Sequence, residues 1–247
     1  MDKDFIFGTK PVFEAIDQAK KIDKLLVKKG KSDDTIVEII RKAKELDIPI
    51  FFVPNEKLDR ITRKNHQGCI ALISPIDFHK IEDILPQIFE KGELPLIMIL
   101  DGITDVRNFG AISRTCLSAG VHTIIIPTKN FARVSPDAVK TSAGALLKIP
   151  VCRENDLAST VTFLQESGIQ VVAATEKAEE NYYKVDFTRP TAIIMGAEDT
   201  GVSDVLIRKA DQLIKIPMYN EFDSLNVSVA AGVLSFEAVK QRLTEVL

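Results

Sequence analysis

The sequence has no tryptophan, three cysteines and three histidines, and a net charge of −3 over 247 residues. Cys69, Cys116 and Cys152 are odd in number and far apart, which argues against a disulfide framework or a zinc ribbon. His66, His79 and His122 form no HxxxH and the cysteines no CxxC, so no metal site is expected. GxGxxG, GxxxxGK[ST] and GxSxG are missing too. Their absence removes the dinucleotide fingerprint, the phosphate loop and the usual serine-hydrolase reading. No apolar run approaches the roughly 18 residues that a membrane helix needs. The start, MDKDFIFGTKPVFEAI, carries acids and no long apolar core, unlike a signal peptide. A cytoplasmic protein without a membrane partner is expected.

What is present is an ordinary globular composition, 45% hydrophobic and 27% charged, with its charge unevenly spread. Residues 1–76 hold 15 Lys and Arg against 12 Asp and Glu, and the remainder holds 17 against 23. Lys28-Lys29-Gly30-Lys31 and Arg60-Ile61-Thr62-Arg63-Lys64 lie in the basic front. On charge alone they are solvated faces and turns. The front reads as helices over 10–19 and 33–46, with Asp33 or Asp34 near an N-cap, and strands over 25–27, 50–53 and 69–73. This is a small α/β domain over 1–76, followed by an amphipathic helical connector over 77–94.

From Leu94 the pattern changes to short apolar runs, PLIMIL, TIIIP, VVAAT, AIIMG and LIKIP, which fit parallel strands buried on both faces. Helices are expected over 111–119, 136–147, 156–167 and 203–210. A doubly wound α/β domain over 95–247 follows, with a ligand site beyond the carboxyl ends of its strands. Three polar patches follow buried strands: 101–120, 195–203 and 216–232. Each residue has a plain structural explanation: Asn108 as a helix cap, Arg114, Glu198 and Asp199 as solvated charges, Ser224 or Asn226 as an N-cap. In combination they suit a site. An Arg one turn into a helix can grip an oxyanion or phosphate, and glycines at 196 and 201 let the backbone approach a flat ligand.

In this order, NFGAISRTCLSAG, IIMGAEDTGVS and IPMYNEFDSLNVSVAAGVLSFEA resemble the three signature motifs of the SpoU (TrmH) family of SPOUT-class RNA methyltransferases. IFGTKPVFEAI and NHQGCIALIS in the front domain are similar to that family's small RNA-binding extension, so the resemblance covers nearly the whole chain. It implies an S-adenosylmethionine-dependent 2′-O-methyltransferase of structured RNA and a homodimer with active sites built at the interface. It also implies a parallel-sheet domain whose carboxyl part is tucked into a trefoil knot. The implied polar residues are Asn108 and Arg114 from the first motif, Glu198 from the second, and Ser224 and Asn226 from the third. Thr175, Gly196, Ile216 and Leu225 are implied to hold the cofactor. Cys116 and Asp199 depart from the family pattern, where Ala and Gly are more usual. The branch acting on a guanosine of large-subunit (23S) ribosomal RNA fits best. Transfer RNA, a resistance-conferring ribosomal RNA methyltransferase and a catalytically silent RNA-binding protein are the alternatives, with a flavodoxin-type nucleotide-binding domain behind them.

Overall fold

Strands and amphipathic helices alternate along the chain and build two separate sheets in the computed structural model, which describes residues 4–30, 33–219 and 224–244. The chain divides into two units, Met1–Asp77 with Val134–Pro136, and Phe78–Arg133 with Asp137–Leu247.

The small unit runs β1 (Phe5–Phe7), α1 (Thr9–Asp17), β2 (Ile22–Lys28), α2 (Asp34–Glu45), β3 (Ile50–Val53), α3 (Asn55–Ile61) and β4 (Cys69–Ile73). Its sheet order is β1-β4-β2-β3, with β2 and β3 parallel and the other pairs antiparallel. Side chains alternate across the sheet. Leu25 and Val27 pack with Val12, Ile16 and Ile39 of α1 and α2, whereas Leu26, Ile70 and Leu72 pack with Leu58 of α3. Asp33 caps α2 by accepting from the Ile36 N–H at 2.8 Å.

The second unit begins with α4 (Ile81–Glu90), inside the segment expected as a connector. Its Ile81, Ile84, Leu85 and Ile88 are buried in the larger core, so this helix is a wall of the second unit. Next come β5 (Leu96–Asp101), α5 (Val106–Ser118), β6 (Thr123–Pro127), α6 (Pro136–Thr141), a 3-10 turn (Ala145–Leu147), β7 (Val151–Glu154) and α7 (Leu157–Glu166). The chain continues through β8 (Gln170–Ala174), β9 (Glu180–Asn181), a 3-10 turn (Tyr182–Lys184), β10 (Thr191–Gly196), α8 (Asp204–Lys209), β11 (Gln212–Lys215) and α9 (Val227–Thr244). The sheet order is β7-β6-β5-β10-β8-β11-β9, and every pair is parallel. Strand β10 therefore returns to lie between β5 and β8, and the carboxyl ends of β5, β10, β8 and β11 stand side by side. Burying each Leu or Ile of these strands contributes about 1.5–3 kcal/mol, which explains the unbroken apolar runs.

Helix α9 packs against α5, where the missing side chain of Gly232 faces Thr115 at 3.6 Å. Its far end is fastened by Arg242. That guanidinium donates to the carbonyls of Phe187 (2.9 Å), Leu94 (2.7 Å), Pro95 (3.0 Å) and Arg189 (3.0 Å). These carbonyls lie just before β5 and β10, at the amino end of the sheet. Among the described residues no helix is long and apolar enough to cross a membrane, and no group of His, Cys, Asp and Glu is arranged to hold a metal ion.

Candidate active site

At the carboxyl end of the large sheet, one residue from each polar patch meets at a single node. The Asn226 amide donates to Asn108 Oδ1 at 3.2 Å and to Glu198 Oε1. Those residues are 118 and 28 positions away in sequence, so the fold creates this junction.

Each arm is positioned by its own local structure. Asn108 lies in the first turn of α5, which starts earlier than expected, at Val106. The cap is Asp105, whose carboxylate accepts from the N–H of Arg107 at 2.6 Å and of Asn108 at 3.3 Å. Asn108 is therefore no cap, and its side chain is available to the node. Glu198 sits in a tight turn from Ala197 to Gly201, closed by the Gly201 N–H donating to the Ala197 carbonyl at 2.8 Å. Gly201 takes φ +67°, in the left-handed region. The turn folds back over Gly196 so closely that a Cβ there would lie 2.0 Å from the carbonyl carbon of Gly201. Gly196 is thus required by the turn itself.

Asn226 serves two purposes. Its side-chain oxygen accepts from the Ser228 N–H at 3.0 Å, and its own carbonyl accepts from the Ala230 N–H at 3.0 Å, which makes it the cap of α9. The other half of the same amide reaches Asn108 and Glu198. Ser224 is exposed and Leu225 half-buried just before it; 220–223, the middle of that motif, lie outside the described residues.

Arg114 does not join the node. It is exposed on α5, six residues after Asn108, which at about 100° per residue places it roughly 120° round the helix. Three of the residues nominated for a cofactor lie at adjoining strand ends. Thr175 follows β8, Gly196 ends β10, and Ile216 follows β11, with the Thr175 N–H donating to the Ile214 carbonyl at 2.9 Å. The Asn226–Glu198 bond brings the segment carrying Leu225 to the loop after β10.

Two further carboxylates support the site, and an Asp in a loop is by itself only a weak sign of it. Asp105 is described above. Asp101, at the end of β5, accepts from the Ser203 N–H at 2.8 Å and ties the second patch to the strand before the first. Gly110 is also fixed by packing, because a Cβ there would lie 2.7 Å from Cβ of Thr141.

The arrangement is matched by known families over most of the chain. Residues 95–236 match the model of the SpoU rRNA methylase family, and residues 5–79 match that of the RNA 2′-O ribose methyltransferase substrate-binding domain. The 23S rRNA (guanosine-2′-O-)-methyltransferase RlmB of Vibrio vulnificus is 36% identical over 98% of this chain and 99% of its own. YacO of Bacillus subtilis, named as a TrmH family tRNA/rRNA methyltransferase, is 34% identical over 97% of this chain and 96% of its own. An AdoMet-bound rRNA methyltransferase from Sinorhizobium meliloti superposes with a TM-score of 0.61 at 28% identity, over 96% of this chain and 86% of that one. With three polar patches joined at one node and both domain models matched in order, the chain belongs to the SpoU family of RNA 2′-O-ribose methyltransferases.

Proposed function

We propose that the chain transfers a methyl group from S-adenosylmethionine to the ribose 2′-hydroxyl of a guanosine in large-subunit (23S) ribosomal RNA. The observation that carries this reading is the junction of Asn108, Glu198 and Asn226 at the carboxyl end of the sheet. The choice of RNA is supported by the similarity to the Vibrio vulnificus RlmB across nearly the whole of both chains. Such an enzyme works in the cytoplasm, where its substrate is made.

The residues at the strand ends fit the cofactor. Main-chain groups of Gly196 and Ile216 and the nearly buried Thr175 hydroxyl offer donors and acceptors, and Leu225 and Ile216 offer apolar surface for an adenosyl group. The knotted path implied by the resemblance is part of the same proposal. When bound, the cofactor supplies an electrophilic methyl carbon on a sulfonium. The protein then has to orient the hydroxyl and accept its charge. Arg114 is assigned to the oxyanion. Guanidinium does not give up its proton readily, so Arg114, beside an RNA phosphate, stabilises the developing alkoxide rather than acting as a base. The hydroxyl proton leaves through their shared hydrogen-bond network to solvent, and a neutral thioether is left behind. Glu198 and Asn108 hold the Asn226 amide, and with it the start of α9, in one orientation, and Ser224 is offered to the RNA.

An active homodimer is part of the proposal. Val229, Phe236 and Leu243 recur every seven residues on the exposed side of α9, at 53%, 50% and 62% exposure, a stripe suited to a second copy. Arg114, turned away from its own node, is then available at the interface. The test is methylation of large-subunit ribosomal RNA and of total tRNA, each taken from a strain lacking the gene, with the product mapped to a nucleotide. One methylated guanosine in ribosomal RNA is expected, and modification of tRNA alone overturns the substrate assignment. Arg114→Lys is expected to lose about 100-fold or more in kcat with cofactor binding intact; near-normal turnover removes Arg114 from its role.

A further inference from the structure

The small domain treats its cations differently at the two ends of its sheet. Where β2 and β3 begin, ion pairs are formed: Lys21 with Asp77 at 2.7 Å, Lys24 with Asp23 at 3.7 Å, and Lys42 with Asp17 and Arg41 with Glu45, each at 2.5 Å. Where β2 and β3 finish, Lys28, Lys29, Lys57, Arg60, Arg63 and Lys64 are exposed. Among the described residues none of these six makes an ion pair.

The fold holds this rim in shape. The Lys28 N–H donates to the Gly68 carbonyl and the Lys29 N–H to the Val53 carbonyl, both at 2.8 Å, so the ends of β2 and β3 and the 62–68 loop are gathered together. His66 hooks that loop onto α3. Its Nδ1 accepts from the Gly68 N–H at 3.0 Å, so Nε2 bears the proton and donates to Asp59 Oδ1 at 2.9 Å. The carboxylates at this end are Asp33, Asp34, Glu56 and Asp59. Two are already engaged: Asp33 caps α2, and Asp59 accepts from His66 and from the Asn55 amide at 2.6 Å. Beside the cations, Phe52 on the edge strand β3 is 50% exposed and pairs in register with Val27, the residue before Lys28.

We propose that this rim is where the small domain grips the sugar–phosphate backbone of the RNA substrate, with Phe52 as a platform for an unpaired base. The proposal rests on the methyltransferase reading above. Unpaired cations held at a strand end, on a short helix and on the loop that His66 braces release counterions from a polyanion without first breaking ion pairs, and an exposed ring beside them gives a base a stacking surface. The rim sets where the RNA lies and leaves the choice of nucleotide to the catalytic domain.

The test uses the full-length protein and a transcript of large-subunit ribosomal RNA. In the rim variant, Lys29, Arg60, Arg63 and Lys64 are each changed to Gln. In the control, Lys20, Lys21, Arg41 and Lys44 are each changed to Gln, removing the same charge from the opposite end. The rim variant is expected to bind the transcript at least about tenfold more weakly, with the slope of log K against log salt reduced by about 3. Its KM for RNA rises while kcat and cofactor affinity stay near wild type. Phe52→Leu, which keeps the apolar volume, is expected to weaken binding about fivefold or more without changing the salt slope. An unchanged slope and affinity in the rim variant overturns the proposal, as does an equal loss in the control. A wild-type protein that neither binds nor methylates the transcript overturns the substrate reading instead.

Discussion

Helix α9 is fastened at both ends, and the two fastenings differ in kind. At the amino end of the sheet, Arg242 is about half-buried and donates to four main-chain carbonyls, while Gln241 beside it accepts from the Phe187 N–H at 2.9 Å. At the carboxyl end, Asn226 and Glu198 are exposed, and the node consists of side chains bonded to other side chains. Backbone acceptors cannot be withdrawn by a change of rotamer, whereas side chains can exchange partners. One end of the helix is anchored to the backbone just before two strands, and the other is held in its orientation by side-chain hydrogen bonds, so losing a contact there is expected to cost less stability.

The comparison breaks most completely at Gly196. Gly196→Ala puts a methyl group 2.0 Å from the main chain of the turn that carries Glu198, so the turn has to open. A stability loss above about 4 kcal/mol and loss of methylation are expected, read from urea unfolding and an RNA methylation assay. Unfolding at the wild-type denaturant concentration would separate the node from the turn. Arg242→Met tests the anchor alone. It leaves four carbonyls without their donor and is expected to cost about 3 kcal/mol, or about 9 °C in Tm, with kcat of the folded protein within about twofold of wild type. A large fall in kcat would mean that the two ends are coupled.

Asn226→Ala sharpens the contrast at the other end. Loss of the cap costs about 1 kcal/mol, whereas activity is expected to fall about 100-fold. Asp156→Ala sets the scale. Asp156 caps α7 by accepting from the Ala158 and Ser159 N–H groups at 3.0 and 3.2 Å, and is expected to cost the same ~1 kcal/mol with no loss of activity. Hydrogen bonds from the Ser159 hydroxyl and the Ala158 N–H hold the Asp156 carboxyl below its ordinary value. Its contribution is therefore complete above the usual carboxylate range and fades as pH falls through the lowered pKa. The Asp156→Ala deficit, followed by melting against pH, should close in that acid window.

Much of this architecture is legible in the sequence, because strands buried on both faces have to be written as unbroken apolar runs. TIIIP is β6 to the residue, and IFFV and CIALI are β3 and β4. Strand β7 is hidden by its own composition, VCRE, since Arg153 and Glu154 are both buried. Their compensation lies far away in sequence: Arg153 stacks 3.1 Å from the centre of the Phe78 ring, and Glu154 accepts from the Ile81 N–H at 2.9 Å, at the amino end of α4. The polar residues of the node are visible singly, each with an innocent explanation, and Asn226 does cap its helix. Their convergence is not visible, because it depends on β10 returning between β5 and β8. The start of α5 is misread for a related reason: the cap signal lies in Asp105, which looks like one more loop acid.

The three thiols have one more consequence. Cys69 lies in the small unit and Cys116 and Cys152 in the large one. All are buried, and burial pushes each up to about 12. At neutral pH they are protonated and shielded, so a disulfide reagent meets them only when the surrounding unit opens. The chain thus carries its own chemical clock in each half: the rate at which Cys69 is labelled, set against that of Cys116 and Cys152, reports how often each half comes apart.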